Sequence, residues 1–167
     1  AEQLGAERSL KFILPTLEKR ERQVRDLLLG SNLPVHVVVG GRERRAAMSG
    51  AHLAMATSGT ISLELGLARV PHAIFYQANG LEKVASKLVT TWSVNLPNLI
   101  LDEPIVPECV GEAARVERLQ RELKPLLKQG HARQRQEQGF ERLWHMAATE
   151  LPPAELAACA LRKAADL

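Results

Sequence analysis

A short run of small polar residues, Ser58-Gly59-Thr60, lies where an apolar stretch ends and a helical pattern begins. A strand that passes into a helix through such residues directs unpaired backbone N–H groups and the positive end of the helix dipole at one point, which suits a phosphate. Glu64 follows one helical turn after Thr60, where its carboxylate could accept hydrogen bonds from a ribose diol. These residues therefore predict a site for a nucleotide diphosphate.

The same residues allow a purely structural interpretation. Ser-Gly-Thr could be a turn with a helix cap, and an acidic residue such as Glu64 is favoured in the first turns of any helix. Short motifs that contain glycine are common, so this spacing alone does not separate the two interpretations. The order of residues over a longer stretch is needed to decide between them.

A longer pattern resembles a known family. It runs from Ala54 to Glu108 and contains Ala-Thr-Ser-Gly-Thr-Ile-Ser-Leu-Glu up to Glu64, Leu-Ala-Arg-Val-Pro over 67–71, and Leu-Pro-Asn-Leu over 96–99. This order is similar to the carboxy-terminal half of the lipid-A-disaccharide synthase family, which are GT-B glycosyltransferases. The specific part is the pairing of Ser-Gly-Thr-x-x-Leu-Glu with Leu-Pro-Asn-Leu.

Strand and helix patterns alternate along the chain with short connectors, which predicts an α/β fold with a doubly wound, mostly parallel sheet. Apolar and β-branched runs bounded by glycine and proline mark the strands. A turn is predicted at Pro97-Asn98, and the chain is helical from residue 112 onward, with Pro153 as the first residue of the last helix. The predicted strands are, in chain order, 10–14, 35–39, 52–56, 73–76 and 93–96, and the helices between them are predicted over about 15–29, 42–48, 60–68 and 81–90.

The resemblance also implies a missing element. In the family, the carboxy-terminal half starts with a strand and a glycine-containing phosphate loop before the strand at Phe12, and this chain has neither. The first strand of a doubly wound sheet is central, so a gap is expected between the Leu10 and Leu53 strands. The sheet could close up, another segment could supply the strand, or the missing part could lie outside the recorded sequence. Since the chain starts at Ala1 without methionine, we expect a fragment of a longer polypeptide.

Two units are expected on this basis. Residues 1–151 would form a nucleotide-sugar-binding, Rossmann-like domain that is incomplete at its amino terminus. Residues 152–167 would form a carboxy-terminal helix that packs on another domain or protomer, and the family resemblance implies that this helix can be exchanged within a homodimer.

The composition argues against several classes of function. Of 167 residues, 46% are hydrophobic and 25% are charged, as in a globular domain with a core. The net charge of +3 comes from 22 basic residues interspersed with 19 acidic ones, and 4% of residues are aromatic, so no nucleic-acid partner is predicted. The two cysteines and five histidines lack ligand spacing, so no metal site is predicted. Without a membrane-spanning stretch or signal peptide, we expect a cytoplasmic protein.

The resemblance assigns roles to four of these residues. Ser58, Gly59 and Thr60 match the positions that hold the diphosphate of the sugar nucleotide, and Glu64 matches the carboxylate that binds its ribose. Oriented N–H groups at a helix end could stabilise the leaving diphosphate without a metal, and no cofactor is expected because the UDP-sugar donor is a substrate. The general base belongs to the other half of the family's proteins, so no catalytic residue is named in this chain.

Other candidate residues follow less directly. Asn95 and Asn98 fall where the family's Leu-Pro-Asn-Leu motif lines the cleft. Tyr76, at the carboxyl end of a predicted strand, and Glu108 are weaker candidates. The family usually has an arginine after the tyrosine, and this chain has Gln77, which would weaken substrate binding by about 1 to 3 kcal/mol if that arginine touches phosphate.

A second turn, Gly40-Gly41, follows the β-branched run 35–39 and is either a plain strand-to-helix turn or a close approach to a ligand. The short basic helix after it carries Arg42, Arg44 and Arg45, each of which could face a pyrophosphate. Spacing singles out none of the three.

The resemblance implies a specific reaction. A parent enzyme would transfer 2,3-diacylglucosamine from UDP-2,3-diacylglucosamine to 2,3-diacylglucosamine 1-phosphate, forming the lipid A disaccharide, with inversion and on the inner face of the inner membrane. The isolated chain is expected to be inactive. Alternatives are a GT-B transferase with another lipid-linked acceptor, a non-catalytic UDP-sugar-binding module, and an α/β scaffold for protein interactions.

Overall fold

A computed structural model describes residues 10–57, 59–76, 91–111, 115–148 and 153–165. In these ranges, strands and helices alternate as the sequence predicts for an α/β fold. The strands are β1 Phe12–Thr16, β2 Val35–Val39, β3 Ala54–Ala56, β4 His72–Tyr76 and β5 Glu108–Val110. The helices are α1 Glu18–Leu28, α2 Gly41–Ser49, α3 Thr60–Leu67, α4 Leu96–Leu101, α5 Val116–Leu126, α6 His131–Ala147 and α7 Pro153–Ala165.

All pairings between the described strands are parallel. β1 pairs with β2, and a second sheet has the order β3-β4-β5. In the second sheet Ala56 is opposite Ile74, and Tyr76 is opposite Val110. The carboxyl ends of β3, β4 and β5 therefore meet at one edge, the edge where open α/β sheets bind ligands.

The two sheets are separate in the described part of the chain. β1 has β2 as its partner there, β3 has β4, and no hydrogen-bonded pairing joins β1 to β3. The sheet does not close up, which was one of the alternatives for the missing central strand. Leu10 and Leu53, which precede β1 and β3, nevertheless pack against the same core cluster.

Two predicted elements differ from the structure. β1 continues through Pro15 to Thr16, and the first helix starts at Glu18 rather than at Pro15. A proline lacks only the N–H of its residue, which a strand with one paired edge tolerates. The strand predicted over 93–96 is wrong, because residue 96 begins α4 and the last strand of the sheet is β5.

The core lies on both faces of β4, whose neighbouring residues point to opposite sides. On one face, Ala73 packs with Cys109 and with Leu119 and Leu123 of α5. On the other, Ile74 packs with a cluster that includes Phe140 and Leu143 of α6. A helical layer on each face of a parallel sheet is the doubly wound arrangement, so the predicted fold class is confirmed.

Two glycines allow helix α6 to approach its neighbours closely. A Cβ at Gly66 of α3 would lie 2.9 Å from Leu143 Cδ2 of α6, and a Cβ at Gly139 of α6 would lie 2.6 Å from Ile105 Cδ1. Side-chain hydrogen bonds also hold α6 to the sheet. Gln136 accepts a hydrogen bond from the His72 N–H at 2.9 Å and donates one to the His72 carbonyl at 2.9 Å.

Among the helices of the described ranges, none combines the length and the apolar character that a bilayer crossing needs.

Candidate functional site

The start of α3 is accessible. Its N-cap residue is Gly59, with φ 112°, and a glycine has no side chain that could cap the first turn. Thr60 is exposed, and a Cβ at Gly59 would meet nothing within 4 Å. The first N–H groups of a helix have no acceptor within the helix, so this end offers donors to a ligand.

This geometry bears on the capping interpretation of the motif. The Gly59 carbonyl accepts hydrogen bonds from the Ser62 hydroxyl at 3.0 Å and from the Ser62 N–H at 3.2 Å, so the N–H groups that remain for a ligand are those before Ser62. A positive φ is available to glycine at little cost, so Gly59 fits the bend that leads into α3. Ser58 lies outside the described residues.

Glu64 lies one turn along α3 and is partly exposed. Its carboxylate Oε2 is 3.3 Å from Nη1 of Arg44, a residue of α2, and about 40% of each side chain is exposed. The structure thus distinguishes Arg44 from Arg42 and Arg45, which the sequence could not separate. Met48, four residues after Arg44, belongs to an apolar cluster with Leu65 of α3.

Tyr76 ends β4 and is partly buried. In the β4–β5 pairing, Tyr76 lies opposite Val110. Since β3 and β4 are parallel neighbours, Tyr76 lies at the same edge of the sheet as the segment that leads from β3 to Gly59. Gln77 and the helix predicted over 81–90 lie outside the described residues.

The two asparagines are buried and serve α4 and the loop after it. Asn95 is fully buried and caps α4, where its Oδ1 accepts a hydrogen bond from the Asn98 N–H at 3.4 Å. Asn98 is 1% exposed. Its Oδ1 accepts from the N–H groups of Ile105 and Val106 at 3.0 and 2.8 Å, and its Nδ2 donates to the Val106 carbonyl at 2.9 Å.

Glu108 belongs to this same network. Its carboxylate accepts hydrogen bonds from the Asn98 amide at 2.9 Å, from the Val94 N–H at 3.1 Å and from the Ser93 hydroxyl. Glu108 is the first residue of β5, at the opposite end of that strand from Val110. The candidates predicted from the sequence therefore fall into two groups. The first lies on α3 or at the carboxyl edge of the sheet and contains Gly59, Thr60, Glu64 and Tyr76. The second is the hydrogen-bond network of Asn95, Asn98 and Glu108.

A cavity of about 460 Å³ adjoins the second group. Its lining includes Asn98, Glu108, Arg118 and Gln136, and none of Gly59, Thr60, Glu64 or Tyr76. The sequence did not predict it, since its walls come from α5, α6 and the loop after α4. The start of α3 differs from this cavity in offering backbone N–H donors with a carboxylate one turn further along.

The arrangement at α3 is suited to binding an anion and a diol side by side. Main-chain N–H groups and the helix dipole attract negative charge, and the carboxylate of Glu64 accepts hydrogen bonds from hydroxyls. Arg44 adds a positive charge beside that carboxylate. In the described part of the chain, no three His, Cys, Asp or Glu side chains come together as a metal site would need.

Comparisons with known proteins identify a family. A family model described as lipid-A-disaccharide synthetase matches residues 2–159. A lipid-A-disaccharide synthase from Bradyrhizobium diazoefficiens is 34% identical over 137 residues, which are 81% of this chain and 35% of that protein. Another, from Pseudomonas syringae, is 36% identical over 144 residues, which are 84% of this chain and 37% of that protein.

The chain therefore spans about a third of the length of the curated relatives that it matches. Its match to the family model covers nearly all of its own residues. On this basis, the chain belongs to the lipid-A-disaccharide synthetase family.

Proposed function

We propose that this chain is the nucleotide-sugar-binding part of a glycosyltransferase. The enzyme transfers 2,3-diacylglucosamine from UDP-2,3-diacylglucosamine to 2,3-diacylglucosamine 1-phosphate, and the product is the lipid A disaccharide. The observation that carries the proposal is the accessible start of α3, whose N-cap is a glycine, with Glu64 one turn further along at the carboxyl edge of a parallel sheet. Family membership supplies the identity of the sugar nucleotide and the acceptor.

In this proposal, the residues at the start of α3 hold the donor's diphosphate. Negative charge grows on the diphosphate as the glycosidic bond to it breaks, so N–H groups aimed at its oxygens stabilise the transition state more than the ground state. Ser58, Gly59 and Thr60 provide this cradle, and Glu64 binds the ribose. Tyr76 completes the rim at the end of β4.

Asn95 and Asn98 contribute to the site indirectly. Both side chains are buried, and Asn98 ties α4 to the loop before β5. That loop leads into the strand next to β4. The asparagines therefore keep one wall of the domain in place, while the general base that deprotonates the acceptor hydroxyl lies outside these 167 residues.

Helix α7 provides contacts beyond the described domain. Leu156 and Leu161 are 40% and 71% exposed, and the described residues of α7 are exposed or at most partly buried. An amphipathic helix gains stability by covering its apolar side chains. We propose that α7 packs on the amino-terminal half of the enzyme or on a second protomer of a homodimer, and that the acylated acceptor brings the enzyme to a membrane surface.

Titration calorimetry with UDP tests the proposed site. Glu64→Ala is expected to weaken UDP binding at least tenfold, about 1.4 kcal/mol, because the ribose hydroxyls lose their acceptor. Glu141→Ala is the control, since Glu141 is a partly exposed acid of α6 that pairs with Arg69, just past the other end of α3. It should leave UDP affinity unchanged.

Two outcomes would count against the proposal. Equal UDP affinity for the wild type and Glu64→Ala would reject Glu64 as the ribose ligand. If the complete natural polypeptide binds UDP but forms no disaccharide from the two acylated sugars, the chain is a nucleotide-sugar-binding module without the proposed catalysis.

A further inference from the structure

The contact between Arg44 and Glu64 joins two helices at the edge of the proposed site. Arg44 Nη1 lies 3.3 Å from Glu64 Oε2. Among the described residues, Glu64 is the partner that the structure gives to the Arg44 side chain. A guanidinium has five N–H donors, and this contact occupies one of its nitrogens.

The position of Arg44 is supported by contacts other than its ion pair. Met48 is 7% exposed and lies one turn after Arg44 on the same face of α2. It belongs to an apolar cluster with Leu65, the residue after Glu64, and with Val70 and Ile61. Helix α2 also packs on β1 and β2, so the ion pair is not needed to hold Arg44 near Glu64.

The ion pair itself adds little to the stability of the fold. Both side chains are about 40% exposed, and ion pairs at such positions are worth about 0 to 1 kcal/mol. An interaction of this size does not explain why a cation is placed beside the ribose-binding carboxylate. The ligand supplies a better explanation.

We propose that Arg44 is a positioning residue of the nucleotide site and acts through Glu64. This inference rests on the proposed function, in which Glu64 binds the ribose next to a diphosphate. Glu64 is one helical turn from the start of α3, about 6 Å along the axis, so its negative charge lies close to the phosphates and repels them. Arg44 offsets this repulsion and holds the carboxylate in one orientation.

A double-mutant cycle measured by UDP titration on the complete natural polypeptide tests this role. Arg44→Gln is expected to weaken UDP binding about five- to tenfold, and Glu64→Gln at least tenfold. Because Arg44 acts through Glu64, the double variant should bind UDP about as weakly as Glu64→Gln alone. Arg44→Lys keeps the charge and should recover most of the affinity.

Arg45→Gln is the matched control, since it removes the same charge from an exposed neighbour on α2. It should change UDP affinity less than twofold. Losses in the double variant that equal the product of the single losses would overturn the proposal, and so would equal effects of Arg44→Gln and Arg45→Gln. If the wild type does not bind UDP, the proposed function fails; if it binds in a Glu64-dependent manner without coupling to Arg44, this inference alone fails.

Discussion

Replacing Asn98 with alanine is expected to lower the free energy of unfolding by about 3 to 5 kcal/mol. The Asn98 amide makes hydrogen bonds to both Ile105 and Val106 and to the Glu108 carboxylate, in a position that is 1% exposed. Alanine would remove one hydrogen-bond partner from each of four groups: the Ile105 and Val106 N–H groups, the Val106 carbonyl and the Glu108 carboxylate. A buried polar group without a partner costs about 1 to 3 kcal/mol.

Urea unfolding of Asn98→Ala checks this expectation, with Leu99→Ala as the control. Leu99 is the next residue of α4 and is 38% exposed, so its truncation should cost much less. The same variant separates a structural from a ligand-binding role. If Asn98→Ala unfolds like the wild type and yet binds UDP more weakly, the asparagine contacts the ligand directly, contrary to the role proposed above.

The stability of the protein is expected to fall by about 3 kcal/mol between pH 7 and pH 4 through His72 alone. Burial lowers the pKa of His72 from 6.5 to about 4. The hydrogen bond to the Val70 carbonyl raises the pKa, but its effect is smaller than that of burial. The ring is stacked on Phe140 with 5.2 Å between centroids, and its buried Nε2 has no hydrogen-bond partner among the residues that the structure describes. A proton on Nε2 would therefore be a buried charge with no acceptor.

The sign follows from the two pKa values. Between pH 6.5 and about 4, the unfolded chain holds a proton on His72 and the folded protein does not, so acid favours unfolding over this window. Unfolding by urea at several pH values measures the effect. His72→Phe cannot titrate and should remove this part of the pH dependence, whereas His131→Gln, at an exposed histidine, should not. Parallel pH profiles for the wild type and His72→Phe would contradict this explanation.

The sequence was sufficient for the fold class because its signals were local. Val35–Val39 is a β-branched run between Pro34 and glycines, and it is the strand β2. The helix predicted from Thr60 to Ala68 is α3, which ends one residue earlier. Turn and strand signals of this kind depend on neighbouring residues, which is why they can be recognised without the structure.

Signals with two meanings were harder to interpret. Val94 and Leu96 alternate with polar residues as in a strand, but Asn95 is also a favourable N-cap and Pro97 a favourable residue in a first turn. In the structure Asn95 is the N-cap of a helix, and Asn98 in that helix accepts hydrogen bonds from the backbone N–H groups of residues 105 and 106. That partner is distant in sequence, and local patterns do not reveal it.

The candidate site shows the same division. The motif around Gly59 and Glu64 was recognised from its spacing together with the family resemblance, whereas the choice of Arg44 from three arginines could not be made from the sequence. It depends on how α2 lies beside α3 in the structure. The sequence also did not reveal the two hydrogen bonds between the Gln136 side chain and the His72 backbone, since these residues are far apart in the chain.

A crystal structure of the complete natural polypeptide with UDP tests the central claim most directly. The account predicts diphosphate oxygens within hydrogen-bond distance of the backbone N–H groups at Gly59 and Thr60, and a ribose hydroxyl on the Glu64 carboxylate. UDP bound elsewhere, for example in the cavity beside Asn98 and Arg118, with the start of α3 facing solvent, would contradict it.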